Sequence, residues 1–160
     1  MFKIKLLILL LVSLSCISCI SNKGNNDGVK YSLGYIGGEF EGLLLKNYLK
    51  NYLLSFDLYD ENSNYEIKSS ISHSSNLYIT NIDNTSDRTR IKSTLNIEIN
   101  DLENICSIDN FNRSVSQFLI YADGSKYISN NAAIEKIKKE NTESLVKSFI
   151  NSMDKENIRC

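Results

Sequence analysis

The run from Arg88 to Asn100, RTRIKSTLNIEIN, restricts the possible folds more than any other stretch of the chain. Ile91, Leu95, Ile97 and Ile99 fall on one parity and Arg90, Lys92, Thr94, Asn96 and Glu98 on the other. That is the two-residue period of a strand with one dry and one wet face. Only Ser93 interrupts the apolar row. A strand this long must be covered along its dry face, so the other segments are read by how they cover or extend it.

A chain of 160 residues supports one domain once a targeting segment is removed. Lys3 and Lys5 form a basic start, Leu6 to Val12 an apolar run, and Ser13 to Cys19 a stretch of small residues with two cysteines. The apolar run is shorter than the roughly 20 residues needed to span a bilayer. A cysteine after a small residue at this point resembles the lipobox of bacterial lipoproteins, where the thiol is acylated and becomes the first residue. Cys16, after Ser15, and Cys19, after Ser18, both qualify. These features predict a signal peptide, 1–18 or 1–15, a tether at 19–28, a domain at 29–155 and a tail at 156–160. SNKGNNDG, polar and glycine-containing, forms most of the tether.

The chain carries 18 Lys+Arg and 19 Asp+Glu, and removal of Lys3 and Lys5 leaves 16 against 19, a net charge of −3. Bulk charge therefore argues against a nucleic-acid partner. Any anionic ligand must meet a local cluster, and Arg88, Arg90 and Lys92 supply one on a single face of the long strand. Arginine engages phosphate with two parallel donors and keeps its charge. The competing reading is a solvated strand edge whose cations discourage aggregation. Cys106 and Cys160 remain after either cleavage, and an oxidising compartment leaves their pairing open.

Val29, Tyr31, Leu33 and Tyr35 alternate with polar or small residues and predict a first strand ending at Gly37-Gly38. Over Glu39 to Leu54 the period changes to three and four, predicting an amphipathic helix. Tyr65 to Ser72 reads as a second strand, with a Ser-rich interruption before Leu77 and Ile79. Asp101 to Asn104 reads as a hairpin connection after the long strand. A fourth strand, about Ile105 to Phe118, has apolar residues on both parities and predicts a bulge or twist. Asn131 to Met153 is helical, its stripe of Ile134, Ile137, Leu145, Phe149 and Met153 interrupted by Asn141. The order β-α-β-β-β-α predicts an α+β two-layer domain, a mostly antiparallel four-stranded sheet with two helices on one face.

Taken in order, these residues resemble the lipopolysaccharide-assembly lipoprotein family of the LptE type, in its alphaproteobacterial branch. Gly42, Leu44, Leu45, Lys46, Asn47 and Leu49 match its first helix, and Tyr65 with Ile67 its second strand. Thr89-Arg90 opens the long strand and Asp101-Leu102 ends it. Phe118, Tyr127 and Ala132-Ala133 match the aromatic, the tyrosine and the Ala-rich helix that follow. The branch usually has Gly-Phe after the lipidated cysteine, where this chain has Ile17 or Ile20, and often arginine where Glu39 stands.

The resemblance implies a non-enzymatic, lipid-anchored outer-membrane protein, on the periplasmic side or inside the lumen of a translocon β-barrel. Such a protein plugs that barrel, helps it assemble and contacts lipopolysaccharide; it uses no cofactor. Arg88, Arg90 and Lys92 are then the candidate lipopolysaccharide contacts. The other reading is a stand-alone surface or periplasm-facing lipoprotein with a host-interaction or envelope-structural role. An enzyme is disfavoured. His73, the single histidine, sits in SSISHSS and is expected to be exposed, no cysteine or histidine pair has metal-ligand spacing, and Gly37-Gly38 lacks the remainder of a phosphate loop.

Overall fold

The computed structural model describes residues 29–38, 40–79, 86–120 and 127–153. The expected signal segment and tether, with Cys16 and Cys19, and the tail with Cys160 lie outside them. The long alternating run forms the third strand, β3 (Ser86–Asp101), preceded by β1 (Ser32–Gly37), α1 (Phe40–Ser55) and β2 (Tyr65–Ile79), and followed by β4 (Cys106–Ile120) and α2 (Tyr127–Ser152). The sheet order is β1-β2-β3-β4. β1 lies parallel to β2, so β1-α1-β2 is a crossover unit, while β2, β3 and β4 form an antiparallel meander. This is the α+β architecture that the periodicities predict.

Both helices cover the face carrying Ile91, Leu95, Ile97 and Ile99. Leu45, Leu49 and Leu53, one turn apart on α1, are fully buried, and Leu145, Val146, Phe149 and Ile150 of α2 pack with them on Ile67, Ile71 and Phe111. Phe111 and Phe149 meet edge to face with centroids 5.4 Å apart. Tyr52 Oη donates to Glu143 Oε1 at 2.9 Å, tying one helix to the other. Lys147 also bonds that carboxylate, at 2.8 Å, and the two bonds, Lys147 first, hold Glu143 below the usual carboxylate range.

β2 departs from the sequence reading, because it runs unbroken through the Ser-rich segment to Ile79. Every residue from Tyr65 to Tyr78 pairs with β3 in continuous register, and backbone hydrogen bonds are indifferent to the small side chains. β4 does contain the expected irregularity. Ile99 pairs with Asp109 and Asn100 with Ser107, leaving Ile108 as the extra residue of a bulge. The bulge lets Ile108 contact the core and, beyond it, puts Phe111 and Val115 inward and Phe118 and Ile120 outward.

Length positions the site. β3 has 16 residues, or about 50 Å, whereas α1 with 16 residues is only about 24 Å long. The long meander therefore outreaches α1, and α2, with 26 residues, continues over its distal half.

Two backbone positions carry predictions. A Cβ on Gly42 would lie 2.9 Å from the Gly37 carbonyl oxygen, so Gly42→Ala is expected to push α1 off β1 and cost about 2 kcal/mol by urea unfolding. Ile105, in the β3-β4 turn, has φ 53° although β-branched, and it is 90% exposed. Ile105→Asn loses no packing and removes a strain of about 1 kcal/mol, so the thermal midpoint is expected to rise by roughly 4 °C.

Candidate functional site

Arg88, Arg90 and Lys92 lie at the far end of β3, on the face away from the helices. β3 is an interior strand, so the strand-edge reading of these cations does not hold. Register places three rows there: Tyr78, Arg88 and Ile120; Asn76, Arg90 and Phe118; Ser74, Lys92 and Ser116. A column of cations thus runs between aromatic and aliphatic flanks. Tyr78 and Phe118 approach edge to face across β3 with centroids 5.9 Å apart, and the Arg88 guanidinium lies 5.6 Å from the Phe118 ring centre. Arg90 Nη2 donates to Ser116 Oγ at 3.1 Å, while Arg90 Nε is buried without a partner among the described residues.

The same face changes character along its length. In its middle, Asn112 Nδ2 donates to Asn96 Oδ1 at 2.6 Å and the Thr94 and Ser114 hydroxyls meet at 2.9 Å. At the far end Phe118 is 52% exposed and Ile120 75%. None of Arg88, Arg90 and Lys92 forms an ion pair with a described residue. Cations that pair with no described carboxylate, beside exposed rings, suit a ligand that is anionic at one point and apolar at another.

The opposite face holds a polar layer that the sequence reading did not assemble. Ser93, the break in the β3 row, and Asn141, the break in the α2 stripe, are both fully buried, and Asn141 Nδ2 donates to Ser93 Oγ at 3.0 Å. Gln117 Nε2 donates to Asn141 Oδ1 at 2.8 Å, and His73 Nδ1 lies 2.7 Å from Ser93 Oγ. With Ser93 donating, His73 is a neutral Nε2-H imidazole whose Nε2 is buried without a partner among the described residues. His73 is therefore half-buried against Ser93, a correction to its expected exposure. Two defects in two apolar patterns answer each other; that coincidence was the available signal.

Cys106 opens β4, half-buried; its proposed partner, Cys160, lies outside the described residues. Among the described residues no three potential metal ligands converge, and no helix is long and apolar enough to cross a membrane.

No family model matches the chain, and no curated protein matches it in sequence. Solved structures do match. Rare lipoprotein B from Shewanella oneidensis superposes with a TM-score of 0.61 at 10% identity, over 78% of this chain and 92% of that one. The fold is shared with rare lipoprotein B. A minor lipoprotein from Acinetobacter baumannii matches with a TM-score of 0.55 at 13% identity, over 76% of this chain and 89% of its own. A homologue of a neuraminyllactose-binding hemagglutinin from Helicobacter pylori matches with a TM-score of 0.54 at 13% identity, over 80% of each chain. At such identities the likeness is one of fold, and it agrees with the LptE-like architecture expected from the sequence.

Burial, then Lys138, lowers the His73 pKa below 6.5 against the opposing pull of Glu41 and Glu135. The unfolded chain then binds the proton more readily, so the contribution to stability is present above about pH 6.5 and is lost as pH falls below it. The thermal midpoint is expected to drop through that window, and His73→Gln should remove the drop, as followed by circular dichroism. Asn141→Ala leaves buried Ser93 with His73 alone and half-buried Gln117 without its amide partner, and is expected to cost about 2 kcal/mol in denaturant titration. Adding Ser93→Ala should cost less than the sum of the single changes.

Proposed function

We propose that the protein is a lipid-anchored envelope lipoprotein of the lipopolysaccharide assembly machinery, non-enzymatic, seated in an outer-membrane translocon β-barrel and contacting lipopolysaccharide. The observation that carries this reading is the column of Arg88, Arg90 and Lys92 between Tyr78, Phe118 and Ile120. Lipopolysaccharide carries phosphates beside acyl chains, and this surface offers guanidinium donors beside rings and an aliphatic side chain. The shared fold of rare lipoprotein B and the lipobox-like Cys16 or Cys19 support the envelope assignment. A rigid domain with a polar mid-face is also suited to the polar interior of a large barrel.

A second reading is a stand-alone surface lipoprotein, and the match to the Helicobacter pylori hemagglutinin homologue favours it. A pull-down of the C-terminally tagged full chain from outer membranes separates the two. Recovery of one large β-barrel in stoichiometric amount is expected, whereas recovery of the lipoprotein alone would favour the surface role. The site is tested by Arg88→Glu with Lys92→Glu, both exposed positions. Lipopolysaccharide binding is expected to weaken at least about tenfold, in a salt-sensitive way, with unchanged thermal unfolding. Equal binding by the folded variant would remove the site.

A further inference from the structure

On the helix side of β4 the last turns of α2 leave an open hollow of about 480 Å³. It is lined by Arg113, Ser144, Lys147, Ser148, Asn151 and Ser152. Ser144, Ser148 and Ser152 repeat every four residues, and Lys147 with Asn151 forms the adjacent row, so one helix face supplies five of the six. Arg113 enters from the strand. Its Nη1 donates to Ser148 Oγ at 2.9 Å and its guanidinium lies 5.2 Å from the Phe111 ring centre, which holds it over the hollow. Lys147 reaches it while bonded to Glu143 at 2.8 Å, and the Ser152 hydroxyl donates to the Phe149 carbonyl at 2.8 Å.

The chemistry of this lining is narrow. It has two cations, three hydroxyls and an amide, with no carboxylate and no apolar side chain. The apolar surface of the hollow comes only from the stems of these polar side chains, which suits the carbon face of a sugar ring better than an acyl chain, and with Lys147 held by Glu143 the free charge in the lining is the Arg113 guanidinium, which disfavours a cationic ligand. Hydroxyls and an amide that both donate and accept, beside a held guanidinium, suit a ligand rich in hydroxyls and carrying one anionic group. We infer that the hollow between β4 and the C-terminal turns of α2 binds an acidic saccharide, with Arg113 on its anionic group and the serine face with Asn151 on its hydroxyls. The site lies on the opposite side of the sheet from Arg88 and does not depend on the reading of that surface.

Carboxylate and phosphate share the needed chemistry, so the probes are glucuronate and glucose 6-phosphate, with glucose as the neutral control. The full chain in detergent micelles is titrated with each and followed by backbone amide shifts. Glucuronate or glucose 6-phosphate is expected to move amides of Arg113 and residues 144–152, with a Kd on the order of 1 mM, as an open, solvent-screened site allows. Glucose should bind at least tenfold more weakly. Arg113→Gln should abolish the preference for the charged sugars. Ser144→Glu, at an exposed helix position, replaces one lining hydroxyl by a carboxylate beside Arg113 and should lower their affinity at least tenfold. Equal shifts from glucose, no shifts in these residues, or wild-type binding by folded Ser144→Glu would overturn the assignment. The Arg88→Glu, Lys92→Glu chain serves as the comparison, and its binding at the hollow should match the wild type.

Discussion

β3 is hydrogen-bonded on both sides over nearly its whole length, and the rest of the molecule follows from that double ladder. Because side chains alternate across a sheet, its register with β2 and β4 sorts three strands at once into a helix face and an open face. Ile91, Leu95, Ile97 and Ile99 then require cover, which α1 and α2 provide. Arg88, Arg90 and Lys92 are carried to the other side by the same alternation. A slip of one residue in either ladder would exchange the two faces.

The cover is uneven, and the unevenness shapes the chemistry. α1 is half the length of the strands, so its leucines close only the proximal core, while α2 extends alone over the distal half. Where the two halves meet, Ser93, Asn141, Gln117 and His73 form a polar layer, and Ile91 lies buried beyond it, outside the main hydrophobic cluster. Such a layer favours one placement of α2 along the sheet, since a shift by one turn would leave buried donors and acceptors without partners. It is a positional lock rather than a source of net stability.

The two surfaces proposed for ligands, both among the described residues, differ in chemistry. The far end of the open face combines guanidinium groups with exposed rings and an aliphatic flank. The hollow between β4 and α2 is lined by polar and charged residues and has no exposed ring. Their separation by the sheet allows one ligand with apolar and saccharide parts, or two different ligands, without competition for the same residues.

Much of the architecture was legible in the chain itself. Period two in β1, β2 and β3, period three to four in both helices, and the glycine pair before α1 were enough for the order of elements and the two-layer class, because local side-chain patterning follows directly from which face is buried. The mixed parity of β4 also announced its bulge, and the cation column was visible as same-parity spacing. What only the tertiary structure decided were the partners of these features. No local pattern states that the bulge at Ile108 turns Phe118 outward beside Arg88, that Ser93 meets Asn141, or that His73 is drawn beneath a helix. Nor does one show that Arg113 reaches Ser148. Each of these depends on register or helix placement across 20 or more residues of chain, where the deciding energies come from long-range packing and hydrogen bonding rather than from the period of a single segment.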